Sequence, residues 1–272
     1  MEKYLIAVDL DGTLIPNLYD ISEYTVKVFN KIRELGHKIV IVTGRPFRSS
    51  YFVYQLFHLD TPIINYNGQL ITNPSDPNYA EKSWVMKRED VLKIYNFSKD
   101  KQFAFFTENY DNICSNNGEE YLHKLMHLKD LSKLYVGDLN EILKTDIHGS
   151  LILAKDEYGS EIVNYVNNNF TDIKARTWKW DMYNVIVELY STLTNKGTSI
   201  KIVRDELGFD KAHTISLGDS KNDFEVFNEA AIKIAPLNAE EEIRKIATYV
   251  TDETCEKDGI AKFLVKYFNI EI

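Results

Sequence analysis

The chain opens with an unbroken apolar run, Tyr4 to Val8. Such a run predicts a strand buried on both faces, because a half-exposed strand would alternate apolar and polar positions. From about Ser22 the pattern changes period: Val26, Phe29, Ile32 and Leu35 recur at helical spacing, and Gly36 supplies the stop. Lys38 to Thr43 predicts the next strand, ending at Gly44-Arg45-Pro46. A helix to about Leu56 and a short strand from Pro62 to Asn65 continue the alternation. Strands separated by short helices imply parallel βαβ units.

The middle of the chain has a different texture. More polar, antiparallel-compatible strands are expected at Gln102 to Glu108, Asp111 to Ser115, Gly149 to Lys155, Ile173 to Trp178 and Val185 to Leu189. Helices fit at about 87–99, 118–126 and 157–167. Parallel-type alternation then returns. A helix starts near Lys196-Gly197, with Ile200, Val203 and Leu207 on its apolar face and Gly208 as its stop. The strand His213 to Leu217 follows, then a helix carrying Phe224, Phe227 and Ala230. A strand Ala231 to Ala235, a helix opened by Asn238, a short strand Thr248 to Val250 and a last helix from Asp258 close the chain. The pattern predicts an α/β fold: a doubly wound, Rossmann-like parallel sheet, residues 1–82 and 190–272, interrupted by an α+β insert at 83–189.

Composition narrows the function classes. A net charge of −9 lacks the basic footprint that nucleic-acid binding requires. A metal and a local lysine can nevertheless hold an anion inside an acidic protein. The two cysteines, Cys114 and Cys255, have no CxxC spacing and no histidines clustered beside them, which argues against a zinc site or structural disulfide. No apolar stretch approaches membrane-spanning length, and nothing at the N-terminus resembles a signal peptide. No nucleic-acid or membrane partner is therefore expected, and the cytoplasm is the default location. Nothing in the sequence fixes an oligomeric state.

The chemistry concentrates where strands end. Tyr4 to Val8 runs directly into Asp9-Leu10-Asp11-Gly12-Thr13, and Thr214 to Leu217 into Gly218-Asp219-Ser220-Lys221-Asn222-Asp223. In an open parallel sheet ligands bind at the carboxyl ends of the strands, and Asp9, Asp11, Thr43 and Asp219 all lie there. A lone aspartate at such a place reads as turn or helix-cap chemistry; four polar positions on one rim point to phosphoryl chemistry. Asp9, first out of the strand, is the nucleophile candidate. Asp11 is placed to protonate a leaving oxygen and then deprotonate water. Asp219 and Asp223 add carboxylates that, if they converge, require a cation such as Mg²⁺.

Several other residues have two readings. Lys196 is either a solvated surface lysine or, at a helix N-terminus where a cation opposes the dipole, a phosphate-holding group. Arg45 suits a phosphate or a surface turn. Asn67-Gly68 reads as a turn first and a substrate-loop element second. Trp178, Trp180 and Tyr183 read first as core and second as a ligand platform. No serine-histidine-aspartate or HExxH arrangement is present.

Together these motifs resemble the haloacid dehalogenase superfamily: Asp9-Leu10-Asp11-Gly12-Thr13-Leu14, Val42-Thr43-Gly44-Arg45, Asn195-Lys196-Gly197 and Gly218-Asp219-Ser220-Lys221-Asn222-Asp223, in order. An insert between the second and third motifs, with Asn67-Gly68 and Asp258-Gly259-Ile260-Ala261, resembles the Cof-like, C2-cap (type IIB) branch. The resemblance implies Asp9 as nucleophile and Asp11 as general acid/base. It also implies Mg²⁺ held by the Asp9 carboxylate, the Asp11 main-chain carbonyl and Asp219, with Asp223 behind, and a phosphoryl group held by Leu10, Thr43, Gly44, Lys196 and Asn222. Pro236 departs from the glycine-rich segment that often precedes the Asn-Ala pair in relatives.

The expected activity is a Mg²⁺-dependent phosphatase for a small phosphorylated metabolite, working through an aspartyl-phosphate. A phosphomutase on the same scaffold and a non-catalytic phosphate-binding regulatory module are the alternatives.

Overall fold

The computed structural model describes residues 2–119, 132–182 and 184–272. The expected helix at 118–126 and Tyr183 fall mainly or wholly outside these residues. The chain divides into two compact units, Met1–Ser83 with Asn195–Ile272, and Trp84–Thr194.

The first unit begins with β1 (Leu5–Val8), α1 (Glu23–Glu34), β2 (Lys38–Ile41), α2 (Phe47–Leu56) and β3 (Ile63–Asn65). A hairpin of β4 (Leu70–Thr72) and β5 (Lys82–Ser83) follows β3, all three pairing antiparallel. After the second unit the chain returns as α6 (Lys196–Glu206), β12 (Thr214–Leu217), α7 (Phe224–Asn228), β13 (Ile232–Ala235), α8 (Glu241–Ile246), β14 (Tyr249–Val250) and α9 (Gly259–Phe268). The main sheet is wholly parallel, in the order β14-β13-β12-β1-β2. Leu5 to Val8 are all fully buried, as the unbroken apolar run requires. The chain winds to β2 on one side of β1, whereas β12, β13 and β14 lie on the other, so β1 marks the switch in strand order.

Packing on this sheet follows the apolar periodicity. Helix α1 is capped by Ser22, whose Oγ accepts from Thr25 N at 2.9 Å, and it buries Val28, Phe29 and Ile32. The Phe29 ring stacks on Phe57 with centroids 4.6 Å apart. Leu264 and Phe268 of α9 join the same core. Asn238 does not open α8, contrary to expectation. Its amide instead donates to Gly12 O at 2.8 Å and accepts from Cys255 N at 2.8 Å, stitching the loop after β1 to the segment before α9.

The second unit contains α3 (Arg88–Ser98), β6 (Gln102–Asn109), β7 (Asn112–Ser115), β8 (Lys133–Val136), α4 (Leu139–Ile142), β9 (Gly149–Lys155), α5 (Asp156–Asn169), β10 (Ile173–Lys179) and β11 (Asn184–Ser191). Its sheet runs β10-β11-β9-β6-β7-β8, antiparallel except for the β7/β8 pair. Val91 and Ile94 of α3 and Ile162 and Val166 of α5 pack on Phe105, Ile152 and Val187 of the sheet. Trp178 and Trp180 do not belong to this core. They are 41% and 38% exposed: β10 ends in three consecutive exposed residues, Thr177, Trp178 and Lys179, and Trp180 follows them. Both cysteines are free and buried. Among the described residues no helix is long and apolar enough to cross a membrane.

Candidate active site

The site is built from loops that leave the carboxyl ends of β1, β2 and β12. Parallel pairing in register sets their starts level: Val8 pairs with both Ile41 and Leu217, and Asp9 N donates to Leu217 O at 3.0 Å. The loop after Asp9 closes tightly, with Leu10 O accepting from Thr13, Leu14 and Ile15 N. Gly12, at φ +73°, sits at its tip, and a Cβ there would come within 2.3 Å of Asp219 Oδ2. The β1 and β12 loops are thus in contact, and Thr13 Oγ1 donates to Asp219 Oδ1 at 2.9 Å.

Asp9, Asp219 and Asp223 come together, each presenting a carboxylate oxygen within 4.8 Å of the others. Lys196, the first residue of α6, enters the same group. Its Nζ lies 2.6 Å from Asp9 Oδ1 and 2.7 Å from Asp223 Oδ1, and its side chain is fully buried. The reading of Lys196 as a solvated surface lysine is therefore corrected. Asn195 makes this placement possible by capping α6, its Oδ1 accepting from Thr198 N at 2.7 Å. Asp223 turns its other oxygen to the backbone amides of Asp219 and Ser220, at 3.0 and 3.2 Å, and so shapes the loop that carries Asp219.

One ammonium among three acidic groups leaves an excess of negative charge. Burial pushes Asp9 well above the ordinary aspartate range; Lys196 pulls it back, and Asp223 and Asp219 push it up again. Asp219 is raised to about 7 by burial and by Asp223. Burial would lower Lys196, yet the Asp223 and Asp9 carboxylates outweigh it and its ammonium is held more firmly than a free lysine's. Oxygen ligands, clustering and surplus negative charge fit a hard divalent cation.

Asp11 stands apart from this cluster. Its side chain is 57% exposed, and both oxygens face Arg45: Nη2 to Oδ1 at 2.5 Å and Nε to Oδ2 at 2.8 Å. Arg45 is therefore neither in a surface turn nor free to hold a phosphate by its fork. Thr43 is buried, its Oγ1 accepting from Arg45 N at 3.1 Å, whereas Gly44 is exposed. Leu10 is fully buried, leaving its backbone as its contribution to the rim.

The Tyr66–Gly68 turn completes the site. Tyr66 and Asn67 both have positive φ, 51° and 54°, an uncommon conformation for two consecutive non-glycine residues. It carries Asn67 over Gly44 and lets its Oδ1 accept from Asn222 Nδ2 at 3.0 Å. Asn67 thereby joins the loop after β2 to the loop after β12. In the sequence the Asn-Gly pair reads as a turn first and a substrate-loop element second, and the structure makes it a bridge between loops.

A family model described as haloacid dehalogenase-like hydrolase matches residues 6–264. The chain belongs to this family. Relatives and solved structures agree with it. The chain is 31% identical over 271 residues to a 5-amino-6-(5-phospho-D-ribitylamino)uracil phosphatase of Bacillus subtilis, covering 99% of each. A haloacid dehalogenase-like hydrolase from Bacteroides thetaiotaomicron superposes with a TM-score of 0.84 at 22% identity, over 98% of this chain and 100% of the other. A subclass IIB sugar phosphatase superposes at 0.77 and 20% identity, over 99% of this chain and all of that one. As a haloacid dehalogenase-like hydrolase whose relatives are named for phosphomonoester cleavage, the protein is a phosphatase.

Proposed function

We propose that the protein is a Mg²⁺-dependent phosphatase for a small phosphorylated metabolite and works through an aspartyl-phosphate on Asp9. The observation that carries this reading is the group of buried Asp9, Lys196 and Asp223 with half-buried Asp219 at the strand ends, and Asp11 exposed beside it. Asp9 would attack phosphorus through a carboxylate oxygen, and the bond to the leaving oxygen would break. Asp11 would give that oxygen its proton. Water would then attack the same phosphorus, passing a proton to Asp11, and the Asp9 carboxylate would leave as inorganic phosphate forms.

Asp9, Asp219, Asp223 and the Asp11 carbonyl would hold Mg²⁺, which supplies charge neutralisation for the phosphoryl oxygens. Lys196 would favour the ionised form of Asp9 and share the phosphoryl charge with backbone amides around Leu10 and Gly44, the Thr43 hydroxyl and the Asn222 amide. Positioning and electrostatics would supply most of the rate. The insert, residues 83–189 in the sequence reading, would act as a cap that selects substrates.

The B. subtilis relative is named for a ribityl phosphate on an aminouracil, and two further B. subtilis relatives carry the same description at 25% and 26% identity. This supports an alkyl phosphate on a polyol chain as the substrate class. The test is phosphate release from a panel of alkyl phosphomonoesters, 5-amino-6-(5-phospho-D-ribitylamino)uracil among them, with and without Mg²⁺. Metal-dependent release is expected and should vanish in Asp9→Asn. Substantial turnover by that variant would overturn the mechanism.

A further inference from the structure

The Asp11–Arg45 pair has an asymmetry that the proposed mechanism leaves unexplained. Asp11 is the exposed partner, yet Arg45 is buried, with only 1% of its side chain accessible. Arg45 is also held from every side. Its Nη1 donates to Ser49 O at 3.1 Å, its backbone N donates to Thr43 Oγ1 at 3.1 Å, and its carbonyl accepts from Asn65 Nδ2 at 2.9 Å and Tyr66 N at 3.2 Å. The Tyr19 ring lies 5.7 Å from the guanidinium carbon. Arg45 is thus the fixed member, and the exposed Asp11 side chain reaches it from the tight loop after β1.

A fork that donates to both carboxylate oxygens fixes where they lie. The two parallel N–H···O bonds set both the direction and the rotation of the Asp11 carboxyl group.

We infer that Arg45 is a positioning residue that acts through Asp11. It holds the carboxyl group at one place on the rim through two hydrogen bonds, and without it the exposed side chain is free to turn away from a leaving oxygen. This inference rests on the proposed role of Asp11. Arg45 then sets the direction and readiness of the acid/base group without touching substrate. A substrate whose leaving oxygen needs a proton, such as an alkyl phosphate, depends on the pair. An aryl phosphate with an acidic phenol depends on it far less.

A double-mutant cycle with Arg45→Met, Asp11→Ala and the combined variant tests this. Activity is read as kcat/KM on the best alkyl phosphate and on p-nitrophenyl phosphate. Each single variant should lose about tenfold to a hundredfold more on the alkyl substrate than on the aryl one. In the Asp11→Ala background, Arg45→Met should cost almost nothing further. Equal losses on both substrates, or a loss from Arg45→Met as large without Asp11 as with it, would overturn the inference and leave Arg45 a structural or substrate-holding residue. If Arg45→Met does not fold, Arg45→Lys keeps the charge, removes the fork and completes the same cycle. Failure of the underlying reading has a different signature: Asp11→Ala would then show no preference between the two leaving groups.

Discussion

Lys196 Nζ lies 2.6 Å from Asp9 Oδ1, with both side chains almost wholly removed from solvent. Breaking a buried ion pair from one side strands the remaining charges, at a cost of about 3–5 kcal/mol. Lys196→Met should therefore lower stability by an amount of that order as well as abolish turnover. Addition of Mg²⁺ should restore part of the stability, because the stranded carboxylates gain another cation. A thermal melt with and without the metal reads both effects. A variant as stable as the parent, with no response to metal, would show that the carboxylates do not need Lys196.

Contact between Gly12 and Asp219 links loop shape to the proposed cation site. A Cβ at Gly12 would lie 2.3 Å from Asp219 Oδ2, so Gly12→Ala must displace that carboxylate. The apparent affinity for Mg²⁺ should fall at least about tenfold, as when a ligand or its support is disturbed. Gly208, at φ +74°, has nothing within 4 Å of such a Cβ. Gly208→Ala should cost about 1 kcal/mol through backbone strain alone and leave the metal dependence unchanged. Metal titrations of activity and of intrinsic fluorescence distinguish the two; similar behaviour of both variants would sink the argument.

The alternation of apolar runs and helical periods made the α/β fold legible, because strands buried on both faces leave a distinctive unbroken signal. The meeting of Asp9, Asp219 and Asp223 was legible too, since parallel strands place their carboxyl ends on one rim. What stayed hidden depends on long-range packing. No local pattern shows that Lys196 is fully buried between two carboxylates, or that Arg45 spends its fork on Asp11. Asn238 carried a helix-opening signal, but its amide is taken by Gly12 and Cys255, 226 and 17 residues away along the chain. Trp178 and Trp180 looked like core because large aromatics usually are. Their exposure at and just beyond the end of β10 is set by tertiary packing, which residue type does not encode.

Asp258 serves the fold rather than the chemistry. Its Oδ1 accepts from Ser22 Oγ at 2.5 Å and from Thr25 Oγ1 at 2.9 Å, tying the start of α9 to the start of α1. It also adopts a left-handed φ of 59°, which aspartate and asparagine tolerate better than other side chains. Asp258→Ala should destabilise by about 1–3 kcal/mol, with kcat unchanged once the protein is folded. Asp258→Asn, which keeps the acceptor and the backbone preference, should recover most of the loss. Denaturant unfolding and activity on the same samples check this, and a fall in kcat without loss of stability would place Asp258 in the site instead.

His37 gives the fold a specific sensitivity to acid. Its Nδ1 accepts from Tyr4 N at 3.0 Å, a bond that only the neutral ring can make, and the residue is 1% exposed. Burial, reinforced by the Lys3 ammonium, lowers its pKa from 6.5 to about 4. Between those values the unfolded chain binds a proton that the folded chain refuses. Stability is therefore complete above about pH 6.5 and is lost as pH falls toward 4, with a slope of at most about 1.4 kcal/mol per pH unit for this group. His213 works in the opposite sense: hydrogen bonds to Asp210 and Glu2 raise its pKa, so its contribution is present at low pH and fades as pH rises. Comparing variants separates the two. His37→Asn keeps an acceptor near the Nδ1 position and removes the titration, so its melting temperature should fall less steeply between pH 6.5 and 4 than that of the parent. Parallel pH profiles for the two proteins would mean that His37 titrates alike in the folded and unfolded chains.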